Sequence, residues 1–141
     1  NDYFLEVKSI LKEAPRTIVL DDFNPNIWKT ILRNENTDVV CIPSLMDPFP
    51  HTSIEAKLFC KDMNYITVIS DVDGAIDAFN KNESIYVDPR QTELFVEKIL
   101  EAATMEYQRR KKMIDRNTDT IEEFNFPRIF EGFINNNIHI Q

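Results

Sequence analysis

The chain has 141 residues, 43% of them hydrophobic and 28% charged, which suits a folded domain with a real core. Its formal net charge of −8 excludes broad binding to nucleic acid or to anionic membranes, which needs a basic field, but leaves room for a local phosphate pocket built from backbone amides. No apolar run approaches the roughly 20 residues that span a bilayer, and the first residues lack the order of a signal peptide.

Phe4, Leu5, Val7, Ile10 and Leu11 recur at helical spacing, so Asp2 to Glu13 is predicted as a helix stopped by Pro15. Thr17 to Leu20 is short and β-branched, a predicted strand. A helix over Ile27 to Arg33 follows the Asn24-Pro25-Asn26 turn. Asp38 to Ile42 is a second strand, apolar as buried parallel strands are. Thr52 to Cys60 reads as a helix with Ile54, Leu58 and Phe59 apolar. Tyr65 to Ile69 and Ser84 to Val87 are two more strands, separated by the Asp71-Val72-Asp73-Gly74 turn and a short helical piece, Ala75 to Phe79. A long helix is expected from Thr92 to about Ile114. Its buried stripe would be Phe95, Val96, Ile99, Leu100 and Ala103, and its basic end, Arg109 to Lys112, would sit solvated at the helix C-terminus. A last helix near Phe126 to Phe133 precedes an Asn-rich tail.

Strands alternating with helices imply an α/β fold, a Rossmann-like parallel sheet with helices on both faces. No internal boundary stands out, so residues 1–141 read as a single domain with carboxyl-terminal helices over about 92–134. Four visible strands are few for a complete doubly wound domain, and the chain starts at Asn1 rather than Met, so an incomplete domain is expected. Cys41 and Cys60 fit no metal spacing and no disulfide framework, and both read as small core residues of a reducing, cytoplasmic protein.

The chemistry concentrates in residues 38–55. A strand ends in the Pro-rich turn that carries Asp47, and a helix opens at Thr52 with Glu55 in its first turn. In open α/β sheets ligands bind at the carboxyl ends of strands, and helix N-termini there favour phosphate. Two carboxylates with seven residues between them bracket this turn, and carboxylates suit sugar hydroxyls. Each has a competing local role. Thr52-Ser53-Ile54-Glu55 has the S/T-x-x-E form of a capping box. Asp47 before Pro48 is common in turns for backbone reasons. His51 reads as a loop residue near a phosphate. Gly74 either serves a turn with positive φ or admits a sugar close to the backbone. No G-x-G-x-x-G, G-K-[ST] or nucleophile-elbow motif occurs.

These residues resemble the carboxyl-terminal, nucleotide-sugar-binding half of retaining GT-B glycosyltransferases, whose broad signature is an acidic residue, seven residues, then Glu. Asp47 and Glu55 match it. The spacing looks most like the trehalose-6-phosphate synthase family, which carries D-V-A-L-V-T-S-L-R-D-G-M-N-L-V-A-x-E. This chain aligns with that pattern without a gap from Asp38 through Ser44, Leu45 and Asp47 to Glu55. Ser70 with Gly74-Ala75 resembles its S-E-F-A-G-A, Val87-Asp88-Pro89 its V-N-P, and Glu101 to Met105 its E-A-L-T-M. Pro48-Phe49-Pro50-His51 replaces Gly-Met-Asn-Leu, and Phe49-Pro50 is nearer the E-P-F-G or G-F-P turn of the wider group of UDP- and GDP-sugar transferases.

The resemblance implies transfer of glucose from the donor UDP-glucose to glucose 6-phosphate with retention, with no further cofactor and no metal. Asp47 would bind donor-sugar hydroxyls as the catalytic residue. Phe49, Pro50, His51 and Thr52 would approach the sugar and distal phosphate, and Glu55 would hold the ribose. The implied partners are a nucleotide sugar, a phosphorylated sugar acceptor and an amino-terminal GT-B domain, and the resemblance also implies an Arg and a Lys upstream, after the first strand of the donor-binding domain. Without these the segment alone is expected to be inactive. Other UDP- or GDP-sugar transferases, and an inactive synthase-like regulatory subunit, are the alternatives. A homo- or hetero-oligomer stays open.

Overall fold

A computed structural model of the chain describes residues 2–14, 17, 30, 31, 33, 37–46, 51–72, 74, 79, 80 and 82–119. Contacts divide the chain into two compact units, Asn1–Asn34 and Glu35–Gln141. The first contains α1 (Asp2–Glu13), as the apolar spacing predicts, closed where Ala14 N–H donates to the Leu11 carbonyl at 3.2 Å. The strand expected at Thr17 to Leu20, apart from Thr17 itself, and the terminal helix near 126–133 lie outside the described residues, as do most of the helices expected at 27–33 and 75–79.

The second unit is built on a three-stranded parallel sheet in the order β1 (Val39–Ile42), β2 (Ile66–Ser70), β3 (Ile85–Val87). Register pairs Val39 with Ile66, Val68 with Ile85 and Ser70 with Val87. Because alternate residues face opposite sides, the register sorts the apolar side chains into two cores. On one face Val40, Ile42, Ile69 and Tyr86 pack against Ile54 and Ala56 of α2 (His51–Met63) and against Val72 and Phe79. On the other, Val39, Ile66, Val68, Ile85 and Val87 meet Phe95, Ile99 and Ala102 of α3 (Thr92–Ala103) and Met113 and Ile114 of α4 (Tyr107–Asp119). This is the Rossmann-like sheet with helices on both faces that the sequence predicts, consistent with part of a GT-B domain.

Three expectations about the helices are corrected. The expected helix from Thr92 to about Ile114 is two helices. Thr104 ends the first, its hydroxyl donating to the Leu100 carbonyl at 2.8 Å, and Met105 N–H turns back to the Ala102 carbonyl at 3.3 Å. The basic run Arg109 to Lys112 therefore occupies the opening turns of α4, not a helix C-terminus.

The buried stripe of α3 is also offset. Phe95 and Ala102 are buried, whereas Val96, Leu100 and Ala103 are exposed. On α2 the inward face is Ser53, Ala56, Lys57, Cys60 and Met63, while Leu58 is exposed and Ile54 and Phe59 are half-buried. A lysine is tolerated inside because Glu83 neutralises it at 2.9 Å. α2 stops at Asn64, whose φ of 56° is the left-handed conformation that ends helices and that Asn tolerates.

Candidate functional site at the carboxyl edge of the sheet

The three strands run parallel, so their carboxyl ends form one edge, and side-chain and backbone bonds tie that edge together. Ser70, fully buried, donates its hydroxyl to the Ile42 carbonyl at 3.2 Å, joining the ends of β2 and β1. Asp71 N–H donates to the Val87 carbonyl at 2.8 Å, joining β2 to β3. After β3, the Asp88 carboxylate accepts from Arg90 N–H at 2.9 Å, and this Asx turn with Pro89 leads the chain into α3. The edge is thus a fixed platform from which the turns project.

The turn after β1 leads to α2 and the residues singled out by spacing. Asp47, Phe49 and Pro50 lie outside the described residues. His51 and Thr52 are exposed in the first turn of α2, and Glu55 is half-buried one turn further on. The capping-box alternative for Glu55 is not realised. It needs Thr52 as the non-helical cap residue, whereas Thr52 is itself helical, and no hydrogen bond joins Thr52 and Glu55 among the described residues. Among the described residues the Glu55 carboxylate accepts no backbone hydrogen bond, and Glu55 lies on the helix that follows β1 in the chain.

Gly74 is buried, and the residues on either side of it lie outside the described residues.

Two features escape a spacing argument. Ser53 is completely buried in the first turn of α2, and its hydroxyl has no hydrogen-bond partner among the described residues. An unmade hydrogen bond in the interior costs about 1–3 kcal/mol, so a polar group inside this turn is not a packing choice. Only its position, two residues before Glu55, could have drawn attention to it. The second is a cleft of about 260 Å³ beside the end of β1, lined by Cys41, Pro43, Pro89, Thr92, Phe95 and neighbouring residues of α3. Cys41 is exposed there, contrary to its expected burial, whereas Cys60 is buried on α2 as expected.

This geometry can hold a polar ligand at the loop edge of a parallel sheet, with a carboxylate one turn into the following helix. Residues 15–120 match the family of glycosyl transferases group 1. The chain belongs to this family. A group 1 glycosyl transferase moves a sugar from a nucleotide-sugar donor to an acceptor, so membership establishes glycosyl transfer as the general chemistry. The GT-B resemblance drawn from Asp47 and Glu55 holds at this level. The narrower likeness to trehalose-6-phosphate synthases has no support from the match, which agrees with the Phe49-Pro50 turn of the wider group. No curated protein is a significant match to the chain. No helix among the described residues is long and apolar enough to cross a membrane.

Proposed function

We propose that the chain is the donor-binding part of a retaining glycosyltransferase that uses a UDP- or GDP-linked hexose. Glu55 accepts hydrogen bonds from the ribose diol, Asp47 orients hydroxyls of the donor sugar, and residues 48–52 lie along the distal phosphate. The observation that carries this reading is Glu55, half-buried on the helix that follows β1 and not part of a capping box, inside a chain that belongs to the group 1 family.

Pro48 and Pro50 have no N–H, so amide donation to phosphate in this turn falls to Phe49, His51 and Thr52. The first turn of α2 adds the positive end of the helix dipole, which favours phosphate charge as the nucleotide departs. Leaving-group stabilisation of this kind requires no protein nucleophile. The narrowest form of the proposal is transfer from UDP-glucose to glucose 6-phosphate in the cytoplasm, together with an amino-terminal GT-B domain. It rests on the ungapped order of residues 38–55 and on Ser70, Gly74 and the Thr104-Met105 segment. A synthase-like subunit that binds donor without turnover is favoured by the two prolines.

Calorimetric titration of the full protein with UDP-glucose and with GDP-mannose tests the donor class, and an NMR assay of sugar transfer to glucose 6-phosphate tests the acceptor. Binding of a nucleotide sugar that weakens in Asp47→Ala supports the proposal. Failure to bind either donor overturns it, and donor binding without transfer selects the regulatory form.

A further inference from the structure

At the opposite end of the sheet from the donor turn, the approach to β3 and one face of α4 enclose a second cleft of about 220 Å³. Asn82, Ser84 and Ile85 line it on one side, and Arg109, Lys112 and Arg116 on the other. The three cations are three and four residues apart, the spacing that places side chains on one helix face. No carboxylate belongs to the described lining. Arg109 shares the Glu101 carboxylate, at 3.0 Å, with Lys98, which contacts it at 2.8 Å. Lys112 and Arg116 make no ion pair among the described residues, whereas Lys111, on the same helix but outside the cleft, is paired with Asp115 at 2.7 Å.

The helix break sharpens the anomaly. With α4 beginning at Tyr107, Arg109 stands in its first turn and Lys112 in its second, near the positive end of the dipole, where cations are disfavoured. Glu106 offsets part of this by accepting from Arg109 N–H at 3.2 Å. The three side chains, Arg116 from the last turn of α4, still add their positive potential over one small cleft, in a chain whose net charge is −8. Such a field is favourable only when an anion enters it, and guanidinium forks match phosphate oxygens.

We propose that this cleft binds a phosphoryl group, on a soluble phosphorylated molecule or on a lipid headgroup, at a site separate from the donor turn. Arg116 and Lys112 make the main contacts, Arg109 contributes through the edge it does not give to Glu101, and Asn82 supplies a neutral donor. This site does not depend on the assignment of Glu55.

The test uses the full protein and two probes: inorganic pyrophosphate in calorimetry, and vesicles of phosphatidylcholine with and without phosphatidylglycerol in flotation. The variants are Lys112→Ala/Arg116→Ala and, as a control on a basic side chain outside the cleft, Lys61→Ala. Both substitute exposed residues, and circular dichroism checks that each folds. Pyrophosphate affinity that falls about tenfold or more in the double variant but not in Lys61→Ala supports a soluble ligand. Flotation with phosphatidylglycerol vesicles alone, lost in the double variant but not in the control, supports a lipid source. Equal behaviour of wild type and double variant with both probes, or an equal loss in Lys61→Ala, overturns the proposal.

Discussion

Lys57 Nζ donates to Glu83 Oε2 at 2.9 Å, with 1% and 2% of the two side chains exposed, so a salt bridge is sealed beneath the helix that carries Glu55. Glu83 is held in turn. Its Oε2 also accepts from Asn80 N–H at 2.8 Å and its Oε1 from Asn80 Nδ2 at 3.1 Å, while its carbonyl accepts from Asn117 of α4 at 2.8 Å. Lys57 lies 5.6 Å from the centre of the Phe79 ring. The pair thus fastens α2 to the turn before β3, and that turn to α4.

Removing either charge takes from the other its buried ion-pair partner at 2.9 Å. Lys57→Met and Glu83→Gln should each lower the unfolding free energy by about 3–5 kcal/mol. The double variant should lose less than the sum, because the two side chains interact directly. Urea unfolding of the four proteins as a double-mutant cycle measures this, and strict additivity would show that the two side chains do not act as a pair.

Alkaline pH should destabilise the fold through groups buried in their neutral forms. Burial pushes the Cys60 thiol up to about 12, and burial raises the Tyr65 and Tyr86 hydroxyls well above the usual tyrosine range. Tyr65 donates to the Ala56 carbonyl at 2.5 Å and Tyr86 to the Phe79 carbonyl. In each case the folded pKa exceeds the unfolded one, so the stabilisation is full below the unfolded value and is lost as pH rises toward the folded value. Stability should be insensitive to these groups at neutral pH. It should fall by about 1.4 kcal/mol per pH unit above about pH 9 from Cys60, and more steeply above about pH 10 as unfolded tyrosines ionise. Urea midpoints measured from pH 7 to 11 check the window; a flat profile would mean these hydroxyls and the thiol are solvated.

The two thiols should separate in reactivity. Cys41 is exposed beside the apolar cleft and Cys60 is buried, so iodoacetamide should modify one thiol per folded chain. Desolvation pushes the Cys41 thiol up to about 11, and the thiolate is the nucleophile. Its rate should keep rising about tenfold per pH unit from pH 8 to 10, where an ordinary thiol with pKa about 8.5 begins to level off. Mass spectrometry of digested, labelled protein identifies the site, and labelling of Cys60 first would contradict the assignment.

Strands β1, β2 and β3 were legible because they are continuous apolar runs, the form of parallel strands covered on both faces. The turn after β1 is singled out by carboxylate spacing alone, and its residues 47–50 lie outside the described residues. The end of α3 was not. Glu101 to Glu106 contains neither Gly nor Pro, and the break depends on Thr104 bonding back to Leu100, which competes with continuing the helix. The inward face of α2 was hidden for a different reason. Hydrophobicity favours Leu58, but the partner that makes Lys57 tolerable, Glu83, is 26 residues away. The basic cleft followed from that same missed break, since one uninterrupted helix would leave Arg109 to Lys112 at a solvated end.

The central claim is that Glu55 holds the ribose of a nucleotide-sugar donor. Calorimetry of the full protein with UDP-glucose and with its 2′,3′-dideoxyribose analogue, in wild type and Glu55→Ala, tests it most directly. A hydrogen bond to a charged carboxylate contributes about 1.5–3 kcal/mol, so wild type should prefer UDP-glucose by about tenfold to a hundredfold. Glu55→Ala should bind the two alike, at the affinity wild type shows for the analogue. Undiminished preference for the ribose form in Glu55→Ala would contradict the account.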